Sequence, residues 1–312
     1  MTALPSLAQL DEARLVRAVE VAHQSIGLSE PNPRVGCVLF TAAGAFAGEG
    51  NTQRAGGPHA EVVAMRAAAA AGKDLRGGTA WLSLEPCAHH GRTPPCCDAL
   101  IAAGLARVVV ALTDPFPQVA GQGIARLRAA GVQVDLAAGG PARTAAIDLN
   151  IGFLSRVLRR RPWVRMKIAA SMDGRTALPN GASQWITGPA ARADGHAWRR
   201  RAGAILTGIG TVRSDDPRLD VREVATVVQP RRVVVDSKLD MSPAARILQP
   251  ADSTLLVHAE ASAARQGQLQ AAGARLLSLP NATGQTDLRA LLTHLANEGV
   301  NELHVEAGNK LN

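Results

Sequence analysis

Leu84-Glu85-Pro86-Cys87-Ala88-His89-His90-Gly91-Arg92-Thr93-Pro94-Pro95-Cys96-Cys97 is the stretch on which the reading of the first half turns. Its partner lies upstream, at His59-Ala60-Glu61. Together they supply one imidazole, a set of thiols and a carboxylate two residues after the imidazole. Zinc prefers nitrogen and sulfur donors in a tetrahedral arrangement, and a catalytic zinc keeps one position for water. Three protein ligands plus an unbound Glu match a catalytic site better than a structural one. With two thiolates and one neutral His the ion's charge is formally balanced, yet its water still loses a proton more easily than in bulk. Glu61 can take that proton and return it to a ring nitrogen and to departing ammonia. This is the inventory of a zinc-dependent deaminase.

Geometry adds a constraint. Residues two apart in a regular helix point about 200° away from each other. His59 and Glu61 face one metal only if His59 lies at the helix start, and Gly57-Pro58 immediately upstream suits that. Cysteines opening the next helix gain from its positive end, which favours thiolate. His-x-Glu alone is a weak signal, equally compatible with a surface pair beside core cysteines or a structural zinc site. Pro86-Cys87 after a strand, with a further Cys at a helix start, makes the joint pattern specific. Cys96 and Cys97 are adjacent, and spacing does not decide which is the ligand.

Outward from this pair, the first half alternates helices and strands. Residues 11–24 repeat apolar positions at helical spacing (Leu15, Ala18, Val19, Ala22). Pro31-Asn32-Pro33 ends the turn that follows, because proline joins neither a helix interior nor a sheet ladder. Asn32 is there either a turn former or a ligand hydrogen-bonder. Residues 35–40 read as a buried strand with Cys37 as a small core residue, Gly48-Glu49-Gly50 as a turn, and 60–71 as a helix. Strands at 79–84, 107–112 and 132–136 alternate with helices at 98–103 and 123–130, and a single helix spans 141–158. The pattern predicts an α/β sandwich with a largely parallel sheet.

Composition bounds the class. A chain of 312 residues with 46% hydrophobic content points to two globular domains. No run approaches eighteen apolar residues, and the early Asp11 and Glu12 do not suit a signal peptide. The expectation is a cytoplasmic protein with no membrane partner, and four cysteines fit a reducing compartment. The net charge of +8 invites a nucleic-acid partner. The basic excess, however, is scattered Arg, and four Phe, four Trp and no Tyr leave little for base stacking. The expected partner is instead a small phosphorylated molecule, which needs only a few arginines. A nucleobase deaminase acting on nucleic acid is the alternative.

Arg159-Arg160-Arg161-Pro162 marks the domain boundary, since a charge run followed by proline halts a helix. The domains are therefore 1–158, a linker at 159–162, and 163–312. The second half reads as strands at 164–170, 204–207, 232–236, 254–258, 275–279 and 302–305. Helices are expected at 189–201, 261–272 and 287–298. Gly208-Ile209-Gly210 is too short for a dinucleotide fingerprint and gives only a weak phosphate-loop hint.

These motifs carry a family resemblance. A generic zinc deaminase has Pro-Cys-x-x-Cys, whereas eight residues separate Cys87 from Cys96 here. The longer insert closely resembles that of the bifunctional riboflavin biosynthesis proteins. These join a pyrimidine deaminase to a 5-amino-6-(5-phosphoribosylamino)uracil reductase. Pro31-Asn32-Pro33-Arg34-Val35-Gly36, Gly57-Pro58-His59-Ala60-Glu61, Asp114-Pro115 and Pro117-Gln118-Val119-Ala120-Gly121 match as well. In the second half Lys167-Ile168-Ala169-Ala170-Ser171-Met172-Asp173-Gly174-Arg175, Ser183-Gln184-Trp185-Ile186-Thr187 and Asp215-Asp216-Pro217-Arg218-Leu219 look like the reductase domain. The likeness runs along nearly the whole chain.

The resemblance implies a cytidine-deaminase-like three-layer domain followed by a dihydrofolate-reductase-like α/β domain. It implies zinc held by His59, Cys87 and Cys96, with Glu61 as proton shuttle and Cys97 as a structural neighbour. His89 and Arg92 would hold the ribose phosphate, Asn32 would face the pyrimidine and Asp114 would line its pocket. In the reductase, Ala169, Trp185, Thr211, Asp215, Ser237 and Gly308 would touch NADPH. Ser183, Arg199, Leu219, Arg222 and Glu306 would touch substrate, with Lys167 near the transferred hydride. The family also implies a homo-oligomer. Two positions depart from its pattern: Phe116 replaces an amide and Thr52 a His, each removing a polar group near the ribose or base. The family also continues beyond the Glu306-Ala307-Gly308 turn by one small sheet-and-helix unit, so a C-terminally truncated, weak reductase is expected.

Overall fold

The computed structural model describes residues 6–91, 93–179, 185–308 and 311. They divide into two compact units, Met1–Arg159 and Arg160–Asn312.

The first unit opens with α1 (Leu7–Ala22), four residues earlier than the apolar periodicity suggests. Ser6 caps it: its hydroxyl accepts the Gln9 amide (3.3 Å), and the Gln9 side chain accepts the Ser6 amide (2.8 Å). Then follow β1 (Gly36–Phe40), β2 (Phe46–Asn51), α2 (Ala60–Ala70), β3 (Thr79–Leu82), α3 (Cys96–Ala102), β4 (Arg107–Val110), α4 (Gln122–Ala129) and β5 (Gln133–Leu136). The sheet order is β2-β1-β3-β4-β5. Only β3, β4 and β5 run parallel; β1 is antiparallel to both its neighbours, so the sheet is mixed.

The Gly48-Glu49-Gly50 turn is not a turn. These residues lie inside β2, where Gly48 faces Leu39 and Gly50 faces Cys37. The glycines are there because α2 lies almost on the strand. A Cβ on Gly50 would stand 2.5 Å from the Ala64 nitrogen, and one on Gly48 would stand 2.7 Å from the Ala64 carbonyl oxygen. Gly36 does the same for the other face, where a Cβ would overlap the Ala18 carbonyl of α1. Helices α1 and α5 (Pro141–Leu149) cover one face and α2 and α3 the other, giving three layers. Trp81, buried in the middle, donates its indole N–H to Asp11 (2.9 Å).

The single helix expected over 141–158 is two. α5 ends at Asn150, and α6 (Ile151–Arg159) starts at the next residue. Apolar spacing does not show the break, because its cause is a tertiary contact of the Asn150 side chain.

The second unit comprises β6 (Trp163–Met166), α7 (Pro189–Arg201), β7 (Ala204–Gly208), α8 (Ile209–Asp215), β8 (Arg231–Val235), β9 (Thr254–His258), α9 (Ala263–Ala271), β10 (Ala274–Ser278), α10 (Leu288–Asn297) and β11 (Glu302–Val305). Its six strands are all parallel, in the order β10-β9-β8-β7-β11-β6. Strand β6 is shorter than expected, and α8 was not foreseen: Gly208 caps a helix there instead of opening a phosphate loop. Strands alternate inward residues between two cores. Ile205, Val234 and Leu256 face Leu269 of α9, while Leu206, Val233 and Leu255 face Leu291 and Leu295 of α10.

Candidate active sites

His59 is the N-cap of α2, with φ −76° and ψ 168°. Its extended backbone lets the ring leave the chain on the same side as Glu61, which occupies the first helical turn and is buried. This is the helix-start placement that a two-residue spacing demands. Cys87 follows β3 in the loop, and Cys96 is the first residue of α3. The Cys96 amide donates to Cys87 Sγ (3.3 Å). His59 Nδ1 lies 3.6 Å from Cys87 Sγ and 3.3 Å from Cys96 Sγ, and the three atoms lie within 4.8 Å of one another. Two sulfurs and one ring nitrogen converging from three elements form a donor set that fits zinc. The buried Glu61 carboxyl lies close enough for the charges of Cys87 and His59 to act on it.

Cys97 turns the other way. Its thiol donates to the Pro86 carbonyl (3.4 Å), and burial pushes its pKa up to about 12. A hydrogen bond from Cys96, with the His59 ring beside it, holds the Cys87 thiol well below the usual thiol range. Burial pushes the Glu61 carboxyl above the usual range, and the Cys87 sulfur adds to that. The other face of the His59 ring is served by the loop: Nε2 stands 3.5 Å from Thr93 Oγ1.

Glu85, quoted in the motif but given no role by sequence, is the organiser of the wall opposite. Its buried carboxylate accepts four backbone N–H groups, from Asp114 (3.2 Å), Gly121 (3.0 Å), Gly123 (3.0 Å) and Ile124 (3.2 Å). It thus caps α4 and ties the 114–121 loop to the Cys87 turn. An acidic residue between a strand end and a Pro-Cys was the available signal. Asp114 is buried beside it and accepts the Phe116 amide (2.8 Å). Burial raises Asp114 to about 6, with Glu85 and Cys87 adding and Arg156 opposing.

Asn32 is half-buried in a turn whose amide reaches the Ser29 carbonyl (2.9 Å). His89 is half-buried with its Nδ1 buried and unpartnered among the described residues, a state that favours an incoming hydrogen-bond partner. Its ring stands 6.1 Å from that of Phe116, so the replacement of an amide there puts an aromatic wall beside His89. Thr52 is buried, and its hydroxyl accepts the Val35 amide (3.2 Å). That departure therefore serves the start of β1. Arg92 and Ser183 lie outside the described residues.

In the second unit Ala169, Thr211, Ser237 and Gly308 all follow the carboxyl ends of parallel strands β6, β7, β8 and β11, where open α/β sheets bind ligands. A Cβ on Gly308 would lie 4.0 Å from Thr211 Oγ1, so those two meet. Asp215 ends α8 and is exposed. The Ser237 hydroxyl lies 3.1 Å from that of Thr286. Lys167 is exposed, and its amide extends the β6 ladder to the Val305 carbonyl (2.9 Å). Trp185 is 70% exposed and meets only Arg192 among the described ring contacts, 4.6 Å over its ring.

The substrate candidates of this unit do assemble. Arg199 grips Glu306 with two nitrogens (2.5 and 2.8 Å) and the Asp220 carbonyl with a third (3.0 Å). Burial alone would raise Glu306, but Arg199 and His304 hold it well below the usual carboxylate range. Arg222 pairs with the Asp220 carboxylate (2.6 Å), and Leu219, beside Asp220, is buried at a left-handed φ of 49°.

Comparison with known proteins agrees along the chain. Residues 8–112 match the cytidine and deoxycytidylate deaminase zinc-binding region, and residues 162–312 match the RibD C-terminal domain. The riboflavin biosynthesis protein RibD of Escherichia coli is 43% identical over 310 residues, covering 96% of this chain and 82% of that protein. That of Aquifex aeolicus is 37% identical, covering 96% and 81%. Among solved structures, Acinetobacter baumannii RibD (form 1) superposes with a TM-score of 0.85 at 38% identity, covering 96% of this chain and 81% of that one. A Thermotoga maritima diaminohydroxyphosphoribosylaminopyrimidine deaminase/5-amino-6-(5-phosphoribosylamino)uracil reductase does so at 0.84 and 32%, covering 97% and 82%. With a zinc donor set in one unit and a parallel sheet with its ligand edge in the other, the chain belongs to the RibD family of riboflavin biosynthesis proteins, a zinc-dependent deaminase joined to an NADPH-dependent reductase.

Proposed function

We propose that the first unit hydrolyses the ring amine of 2,5-diamino-6-(5-phosphoribosylamino)pyrimidin-4-one, with His59, Cys87 and Cys96 holding zinc and Glu61 moving the protons. The observation that carries this is the convergence of one imidazole nitrogen and two sulfurs beside a buried carboxylate. Bound zinc supplies the Lewis acidity that lets water give up a proton near neutral pH. Glu61 would carry one proton of the attacking water to the ring nitrogen and then the second, from the hydroxyl left on the carbon, to the amine that leaves as ammonia, so that the C–N bond breaks as the C=O bond forms. Its burial suits this, because a carboxylate whose pKa is raised above the usual range is the stronger base and takes the water's proton more readily. Asn32 and Asp114 orient the pyrimidine, and His89 with Arg92 grips the ribose phosphate.

In the second unit NADPH supplies the hydride that turns the ribosyl group into ribityl. Ala169, Thr211, Asp215, Ser237 and Gly308 hold the cofactor at the strand ends, with Trp185 from the 185–188 segment. Arg199 and Glu306, with Ser183, Leu219 and Arg222, hold the substrate near Lys167. No helix among the described residues is long and apolar enough to cross a membrane. We place the enzyme in the cytoplasm, where its four free cysteines stay reduced. A nucleobase deaminase on nucleic acid is not favoured, since the relatives matched along the chain are riboflavin biosynthesis proteins.

The test is Glu61→Gln, followed by ammonia release from the phosphoribosylaminopyrimidine and by zinc content. Ammonia release should fall by about 10²–10⁴-fold, the usual worth of a general acid–base group. Zinc content should stay near one per chain. A variant that deaminates at the wild-type rate refutes the assignment of Glu61.

A further inference from the structure

The turn that carries Asn32 is held from two helices more than a hundred residues away. The Asn150 side chain pairs with both backbone groups of Arg34: Oδ1 accepts its N–H (2.8 Å) and Nδ2 donates to its carbonyl (2.9 Å). Asn150 thus behaves as a one-residue strand partner, and it is buried at the break between α5 and α6. The Arg34 guanidinium answers by donating to the Leu149 carbonyl (3.0 Å). Six residues past the break, Arg156 of α6 donates to the Pro31 carbonyl (3.1 Å). Asn32 therefore sits between two anchors, one residue after Pro31 and two before Arg34.

The anchored turn lies at the site's end of the sheet. Just past it, the Gly36 amide donates to Ser83 Oγ (2.9 Å), at the end of β3 that leads into Glu85 and Cys87. Arg156 is also close enough to Glu30 and Asp114 for each charge to act on it. The guanidinium bonded to the Pro31 carbonyl thus also lies within electrostatic range of Asp114, the other residue assigned to the pyrimidine.

We propose that Arg156 and Asn150 are positioning residues of the deaminase: they hold the Pro31–Arg34 turn so that the Asn32 amide meets the pyrimidine ring, Arg156 by its bond to the Pro31 carbonyl and Asn150 by its pairing with Arg34. This rests on the reading that Asn32 faces the pyrimidine. Neither residue touches the reacting atoms, so each acts through Asn32 and on binding rather than on the proton transfers of Glu61.

A double-mutant cycle on the full chain tests it, with ammonia release followed at saturating zinc for Asn32→Ala, Arg156→Met and the pair. Each single change should raise KM about tenfold, the worth of one hydrogen bond involving a charged group, with kcat within about twofold. The pair should be no worse than Asn32→Ala within about twofold, because Arg156 has nothing left to position. Arg156→Lys, which keeps the cation and a donor, should recover most of the KM. If Arg156→Met gives no folded protein, Asn150→Asp, which keeps the acceptor for the Arg34 N–H and loses the donor to its carbonyl, carries the same cycle. Effects that multiply to about a hundredfold, or a loss in kcat with KM unchanged, overturn the proposal. A wild-type KM in Asn32→Ala overturns the reading of Asn32 itself, which is a separate outcome.

Discussion

Gly50→Ala is a single-methyl change on β2, yet it should reach the metal site. The added Cβ would stand 2.5 Å from the Ala64 nitrogen, 2.6 Å from Val63 Cβ and 2.7 Å from the Ala60 carbonyl oxygen. Two of those atoms are helix backbone and cannot rotate away. To restore ordinary contact at 3.4 Å, α2 must lift from the sheet by about 0.9 Å. Ala60 is the first residue of α2 and follows His59, so the lift carries His59 and Glu61 with it while Cys87 and Cys96 stay on other elements. Overpacking of this kind costs about 1–3 kcal/mol. That corresponds to a fall in Tm of about 2–12 °C for a unit of this size. A ligand displaced by almost an ångström should also weaken zinc binding by about 10–100-fold, as loss of a supporting contact does. The assays are thermal unfolding and zinc competition against a chelator. Gly195→Ala in α7 is the control, since a Cβ there meets nothing within 4 Å and a helix-interior glycine gains stability on substitution. A Gly50→Ala protein with wild-type Tm and wild-type zinc affinity would refute the claim that close packing of α2 on β2 positions the site.

Two further outcomes can be checked separately. Asp114 is raised by burial from an ordinary 3.8 to about 6. The folded state then binds its proton more tightly than the unfolded one, so its stabilising contribution is present below about pH 4 and lost as pH rises through about 6. Asp114→Asn should flatten the fall in unfolding free energy between pH 4 and 7.5 by about 3 kcal/mol, read by urea titration at both pH values; an unchanged pH dependence counts against it. Arg199→Met takes the guanidinium from the buried Glu306 carboxylate and leaves it only His304 at 3.4 Å, at a cost of up to about 3–5 kcal/mol. NADPH oxidation should be lost while ammonia release stays, and equal loss of both activities would contradict separate sites.

What was legible in the chain depended on whether its cause was local. His59 at a helix start follows from a two-residue spacing and an upstream Gly-Pro, and the structure puts it there as the N-cap of α2. The choice of Cys96 over Cys97 depends on the phase of α3 at its first turn, which spacing does not fix and the family pattern does. Strand β2 was misread because its glycines look like turn formers. Their reason is the backbone of α2, fourteen residues on from Gly50 at Ala64, and nothing in the pattern of β2 encodes that distance. The break at Asn150 is invisible for the same reason, since its partner Arg34 is 116 residues away. Glu85 was quoted without a role because its four donors come from a loop and a helix start that only the fold brings to it.

His59, Cys96 and the amides gripped by Glu85 each stand at the start of a helix, α2, α3 and α4, and the three starts converge. Helix starts carry unpaired N–H groups and partial positive charge. The site needs that charge, because it crowds two thiols with the carboxyls of Glu61, Glu85 and Asp114, all three buried. Glu85 is satisfied by four amides and the Cys87 sulfur by the Cys96 amide, whereas Glu61 and Asp114 stay raised above their ordinary values. The fold thus neutralises the structural acids with backbone and leaves the working acids short of partners. His59, Cys87 and Cys96 would hold a divalent cation there, and its charge would offset what remains of so acidic a pocket while supplying the Lewis acidity for water.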